Sequence, residues 1–197
     1  MTRGLIAPCA AVAAALTLAA CGAGQAPTGA PRGSTSTPAA AAPDVDLSGG
    51  PDQALAANAA QADKLVGEGA ADLKTRLAAL RGHPVVVNQW GSWCPPCRAE
   101  FPFFEQAASK FEDRVAFVGL DAADERSAAE QFLREVPPGF PSIFDPDSQA
   151  TRSLGGGRIS PTTFFLDAKG KQVDIRLGAY ANAGELEQDI RQPLATR

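Results

Sequence analysis

From Pro84 the chain runs Pro-Val-Val-Val-Asn-Gln-Trp, an apolar stretch of strand length closed by two polar residues and a ring. Short apolar runs bounded by turn residues read as buried strands. A second such run spans Val115 to Leu120, and Pro141 to Phe144 is a candidate short strand. Thr162 to Leu166 and Gln172 to Leu177 form a hairpin pattern across the Ala168-Lys169-Gly170 turn. Helical spacing fills the intervals. Pro95 to Phe111 predicts a helix bent near Pro102. Glu125 to Glu135 places Ala128, Ala129, Phe132 and Leu133 on one side. Pro137-Pro138-Gly139 is a turn, and Ser148 to Leu154 a short helix stopped by Gly155-Gly156-Gly157. Gly184 to Arg191 closes the chain as a helix. Upstream, Gln53 to Leu65 is Ala-rich and helix-prone, and Ala71 to Leu80 carries Leu73, Leu77 and Leu80 at helical spacing. The order predicts an α/β fold, with a central mixed sheet covered by helices on both faces. No internal repeat is present.

The first residues follow another pattern. Arg3 precedes an apolar stretch from Leu5 to Ala20, short for a membrane span, and Leu18-Ala19-Ala20-Cys21 resembles a bacterial lipobox. Residues 1–20 therefore read as a lipoprotein signal peptide. Cleavage before Cys21 would discard Cys9 and leave Cys21 to carry lipid, on the extracytoplasmic face of the bacterial cell membrane. A plain signal peptide, or an uncleaved anchor with an incidental cysteine, is the alternative. Residues 21–51 read as a flexible tether of Ala, Pro, Gly, Ser and Thr. Its stretch from Gly22 to Pro43 would reach ~26 Å as a coil or ~70 Å as polyproline II. Residues 52–197 are left as one domain with an N-terminal helical extension.

Charge narrows the functions available. The 197 residues hold 18 Lys and Arg against 22 Asp and Glu, a net charge of −4. Loss of Arg3 with a leader makes the remainder one charge more negative. No basic cluster occurs, which argues against nucleic-acid binding. An acidic chain also gains little from anionic lipid, so membrane attachment would rest on the covalent anchor.

The candidate chemistry lies in Trp93-Cys94-Pro95-Pro96-Cys97, directly after the first strand. Two thiols two residues apart at a helix start can close a reversible disulfide, and the helix N-terminus favours the thiolate of the first. An inert disulfide or half of a zinc site is the competing reading. Zinc needs about four Cys or His ligands, and beyond this pair the domain offers only His83, which reads as a solvated loop residue. No metal and no cofactor are expected beyond the cysteine pair itself.

The string from Val85 to Pro102, Val-Val-Val-Asn-Gln-Trp-Gly-Ser-Trp-Cys-Pro-Pro-Cys-Arg-Ala-Glu-Phe-Pro, resembles the TlpA/ResA-like branch of the thioredoxins. So do Gly155 to Thr163, with Ser160-Pro161-Thr162-Thr163, and Asp167-Ala168-Lys169-Gly170. The resemblance implies a thioredoxin fold with a central insertion. It covers the chain from about Gly82 onward, and Asp44 to Arg81 departs from it by looking more helical. It also implies roles: Cys94 as exposed nucleophile, Cys97 as buried resolving thiol, Pro161 as a cis-proline facing the disulfide, and Ser160 and Trp93 at the substrate. Glu100 resembles an acidic residue near the thiols. Asn88 stands where cytosolic thioredoxins place a buried acid, and since Asn cannot act as a base, proton handling falls to Glu100. Read from the residues alone, Glu100 is either a proton-transfer group or a solvated acid of the first helical turn. Trp93 either packs beside the site or touches substrate. Pro161 is either cis or an ordinary strand-entry proline, and Asp124 lies near where some relatives carry another acid.

The implied activity is thiol-disulfide oxidoreduction on exported proteins, with apocytochrome c the substrate the family suggests and a membrane electron donor as second partner. Direction follows from the spacer. Pro95 and Pro96 have no N–H and no positive charge to offer a thiolate, which favours a reductase over a strong oxidant. A disulfide-forming oxidase is the first alternative, and a non-catalytic lipoprotein that docks a partner the second.

Overall fold

The computed structural model describes residues 51–195. The leader, the lipid site at Cys21, and the tether up to residue 50 lie outside the described residues. The elements are α1 (Pro51–Ala59), β1 (Leu65–Glu68), α2 (Gly69–Ala79), β2 (Val85–Trp90), α3 (Pro95–Lys110), β3 (Ala116–Ala122), α4 (Arg126–Glu135), β4 (Ser142–Asp145), α5 (Gln149–Ser153), β5 (Thr162–Leu166), β6 (Gln172–Leu177) and α6 (Ala183–Ala195). The six strands form one mixed sheet in the order β1-β4-β3-β2-β5-β6. This is a thioredoxin fold.

β2 sits inside the sheet. It pairs in parallel with β3, from Val85 opposite Ala116 to Trp90 opposite Asp121. On its other edge it runs antiparallel to β5, from Val85 opposite Leu166 to Gln89 opposite Thr162. Strand side chains alternate between faces, and both faces here are covered. Val85, Val87, Val118, Leu120 and Phe164 join Leu73 and Leu80 at the α2 end on one face. Val86, Phe117 and Phe165 pack on the other against Phe104 and Phe111 of α3 and its end, and Leu186 and Ile190 of α6. A third cluster, Trp90, Phe101, Phe132 and Leu133, joins the end of β2 to α3 and α4 and contains both cysteines. Trp90 stacks on Phe132 at 5.2 Å and meets Phe101 edge-on at 5.4 Å. Its indole N–H donates to Ser142 Oγ at 3.1 Å across Gly119, where a Cβ would come within 2.1 Å of that oxygen. Glycine is therefore required at 119 for β2, β3 and β4 to meet at this level.

The N-terminal extension differs from the pattern-based expectation. A helix from Gln53 to Leu65 was expected, yet α1 ends at Ala59 and Leu65–Glu68 is an edge strand parallel to β4. The helix is broken by the turn at Asp63 (φ 63°), whose carboxylate accepts the Gly139 N–H at 2.8 Å and whose own N–H reaches Phe140 O. Gly67 and Gly69, both at positive φ, stop a helix from re-forming before α2. Arg76 ties the two helices together: its guanidinium, mostly buried, donates to Asn58 Oδ1 at 2.8 Å and Gln61 Oε1 at 2.6 Å. His83 is buried rather than solvated, with Nε2 unpartnered, because the turn after α2 is pinned to the hairpin by Gly82 N–H to Ala168 O. Among the described residues no helix is long and apolar enough to cross a membrane.

Candidate active site

The chain leaves β2 at Trp90, turns through Gly91-Ser92-Trp93 and enters α3 at Cys94. Each step of the turn is held. Cys94 N–H donates to Gly91 O at 3.0 Å. Ser92 Oγ donates to Asp124 Oδ1 at 2.8 Å, and Ser92 N–H bonds the other oxygen of the same carboxylate. The Trp93 indole N–H reaches Ala122 O at 3.2 Å, leaving its ring 54% exposed. Cys94 is the N-cap of α3 in an extended conformation, and its sulfur accepts the Cys97 N–H at 3.3 Å. Pro95 and Pro96 occupy the first helical positions, where the missing N–H groups cost nothing and the fixed φ is already helical.

Cys94 and Cys97 are joined by a disulfide, with Cα atoms 5.3 Å apart. Cys94 was expected to be exposed; in the disulfide it is only 2% exposed and Cys97 is fully buried. The Cys94 sulfur accepts the Cys97 N–H and packs in the cluster with Trp90 and Phe101.

The Ser160–Pro161 peptide bond is cis. It lies just before β5, at the same end of the sheet as the turn after β2. Gln89 fixes this segment to β2. Its Nε2 donates to Ser160 Oγ at 2.7 Å and Ile159 O at 3.1 Å, and its Oε1 accepts from Gly157 N–H at 3.0 Å. Sequence reasoning passed over Gln89; the only available signal was an amide inside a buried strand run. Ile159 next to the cis bond is 46% exposed, so an apolar side chain precedes the cis-proline segment and another precedes the cysteines.

Glu100 is fully buried, which rules out the solvated-acid reading. It lies one turn after Cys97, on the same side of α3. Oε1 accepts from Asn88 Nδ2 at 2.9 Å and Oε2 from Tyr180 N–H at 3.1 Å. Asn88 also reaches Thr163 Oγ1 at 3.3 Å, so the network spans β2, α3, β5 and the approach to α6. Burial pushes the Glu100 pKa up to about 7; the two hydrogen bonds and the charge of Arg176 oppose it without cancelling it. A second buried acid, not singled out from the sequence, is Asp121 beside Trp90, pushed up to about 9 mainly by burial and then by Asp124. Among the described residues no group of three or more His, Cys, Asp or Glu could hold a metal ion.

The fold and this constellation define a dithiol site of the thioredoxin type. The chain belongs to the Redoxin family, which matches residues 51–190. Within it the chain resembles TlpA/ResA-like proteins. It is 30% identical over 106 residues to the thiol-disulfide oxidoreductase ResA of Bacillus subtilis, covering 53% of this chain and 59% of that protein. It is 37% identical over 117 residues to the thiol:disulfide interchange protein DsbE of Yersinia pestis, covering 58% and 57%. The chain thus spans less than two thirds of these curated relatives. A crystal structure of a candidate thiol:disulfide interchange protein DsbE from Chlorobium tepidum superposes with a TM-score of 0.56 at 34% identity, covering 60% of this chain and 85% of that one.

The Glu100 pKa carries a stability consequence. Folded Glu100 keeps its proton up to about pH 7, whereas an unfolded Glu releases it near the ordinary 4.5. Between those values the native state binds more protons, so this group's contribution to stability falls as pH rises through the interval and is flat above it. Denaturant unfolding of oxidised wild type and Glu100→Gln at pH 4.5, 6 and 8 checks this. The difference should move in favour of the variant up to about pH 7 and then hold; a pH-independent difference contradicts the buried-acid assignment.

Proposed function

We propose that the protein is a thiol-disulfide oxidoreductase that reduces disulfides in exported proteins, cytochrome c precursors among the candidate substrates. The observation that carries this reading is the Cys94–Cys97 disulfide at the start of α3, at the same end of the sheet as the cis Ser160–Pro161 bond. The names of the ResA and DsbE relatives support it.

In the reducing direction the Cys94 thiolate attacks one sulfur of the substrate disulfide. The substrate's other sulfur leaves as a thiolate, and Cys94 is held in a mixed disulfide. Cys97 then attacks the Cys94 sulfur, releasing the second substrate thiol and closing Cys94–Cys97. The substrate has gained two electrons and the protein has lost two, so a membrane electron donor must return the pair to the dithiol. Cys97 has to lose its proton before it attacks. Glu100, buried and titrating near neutrality one turn away, supplies a group that exchanges protons in this range. The cis Ser160–Pro161 segment offers a backbone edge to the substrate chain, and Trp93 and Ile159 offer exposed apolar contact.

Cys97→Ser and Cys94→Ser separate the two sulfurs. Cys97→Ser should accumulate dithiothreitol-sensitive mixed disulfides on a non-reducing gel, since Ser cannot resolve them. Cys94→Ser should trap none and lose insulin reduction by at least ~100-fold, because the attacking thiolate is gone. Traps only in Cys94→Ser would reverse the order. Full activity in both variants would leave a docking protein with an incidental disulfide.

The Leu18-Ala19-Ala20-Cys21 motif supports a location on the extracytoplasmic face of a bacterial membrane, with lipid carried at Cys21. Cell fractionation should find wild type in the membrane and Cys21→Ala released from it; equal partitioning would remove the lipid anchor from the account.

A further inference from the structure

One side of α2 carries a stripe that the sheet does not use up. Ala70, Leu73, Lys74, Leu77 and Ala78, with Arg81 just past the helix end, recur at spacings of three and four residues, which sets them along one side. Together with Ser153 and Leu154 at the end of α5 and Gly170 in the β5–β6 turn, they line a cleft of about 390 Å³. Sites that enclose small molecules start at ~300 Å³. Leu73 belongs to the buried core, whereas Leu77 and Leu154 pack against it from outside and stay half-buried. The cleft lies on the α2 side of the sheet, while α3 packs on the other. α2 also falls in the stretch that departs from the TlpA/ResA-like pattern, so the dithiol chemistry gives the cleft no role.

The lining is aliphatic, without an aromatic ring, and it holds two cations and no acid. Lys74 and Arg81 stand about two helical turns apart with Leu77 between them. Both are exposed, and neither has a carboxylate partner among the described residues. The acids of the same elements are committed to backbone N–H groups. Asp72 of α2 accepts from Glu68 at 2.7 Å, and Asp167 at the turn accepts from Lys169 and Lys171 at 2.9 Å each. The Ser153 hydroxyl is committed as well, donating to Ala150 O at 2.6 Å. Lys169 and Lys171, exposed on either side of Gly170, add positive charge at the turn. In a chain of net charge −4 this is a local excess of the opposite sign.

An apolar cleft without rings suits an aliphatic chain, and flanking cations without counter-charge suit an anion. A cationic ligand would meet like charge there. We propose that the cleft is a binding site for a single-chain aliphatic carboxylate. Its chain lies against Leu73, Leu77 and Leu154, and its carboxylate pairs with Lys74 and Arg81. No residue of the cleft belongs to the dithiol site, so binding there does not depend on the oxidoreductase reading.

The test uses the full oxidised chain with ¹³C-labelled leucine methyl groups, titrated with decanoate below its micelle-forming range. Decanoate should shift the Leu77 and Leu154 methyl signals saturably. Acetate, which lacks the chain, and decylammonium, which reverses the charge, should not. Ala78→Trp fills the cleft from an exposed helical position and should abolish the shifts. Lys74→Glu combined with Arg81→Glu, also at exposed positions, should weaken decanoate binding at least ~10-fold, since two ion pairs give way to repulsion. Equal shifts from decylammonium, undiminished binding in the doubly substituted chain, or no saturable shift with decanoate overturns the proposal. So does a cleft that responds only to phosphatidylglycerol vesicles, which would make this face a membrane contact.

Discussion

β2 is buried along its whole length, between two other strands at its edges and two helical layers at its faces. A strand so enclosed can offer chemistry only where it ends, and it can carry polar side chains only if they are satisfied inside the protein. Its two amides do more than meet that condition. Asn88 bonds Glu100 on α3 and Thr163 on β5, and Gln89 bonds the three residues 157, 159 and 160 ahead of the cis-proline. One strand therefore fixes both the helix that carries the cysteines and the cis-proline loop at the same end of the sheet. Trp90 completes the arrangement by closing the apolar cluster that surrounds the disulfide.

Two buried acids flank this strand and differ for a legible reason. Both are raised by desolvation, to about 7 for Glu100 and about 9 for Asp121. Glu100 accepts two N–H donors and feels Arg176, which restores part of its acidity. Asp121 accepts none and faces other carboxylates. Donor count and neighbouring charge thus split two similar groups into one that titrates near neutrality beside the thiols and one that keeps its proton behind the turn. Neither proline of the spacer supplies charge, so the electrostatics around the thiols come from these flanking acids and from the start of α3.

Much of this was legible in the chain. The bounds of β5 and β6 coincide with the hairpin pattern, and β2, β3 and α4 fall within a few residues of their expected positions, because apolar runs and turn residues agree there. β1 was not legible: four residues with one buried side chain, Val66, are too few for any period, and the preceding alanines favour a helix that only the tertiary turn at Asp63 interrupts. The burial of Glu100 and His83 was hidden because side-chain type predicts exposure, while exposure here is set by what packs from 80 residues away, as Tyr180 does on Glu100. Asp121 was hidden for the same reason, inside a run whose apolar neighbours alone mark it as buried. The near-complete burial of Cys94 depends on its packing with Trp90 and Phe101, which no spacing reveals.

In the proposed reductase the Cys94–Cys97 pair is a reversible couple poised for reduction, its thiolate stabilised by the helix start but by nothing in the Pro95-Pro96 spacer. The most direct test is the equilibrium potential of that pair, measured by equilibration against dithiothreitol and glutathione redox buffers with the two states separated by thiol alkylation. The expected value lies near that of thioredoxin, about −270 mV, rather than near the −120 mV of DsbA. A potential above about −150 mV would place the protein among strong disulfide donors and contradict the reductase assignment.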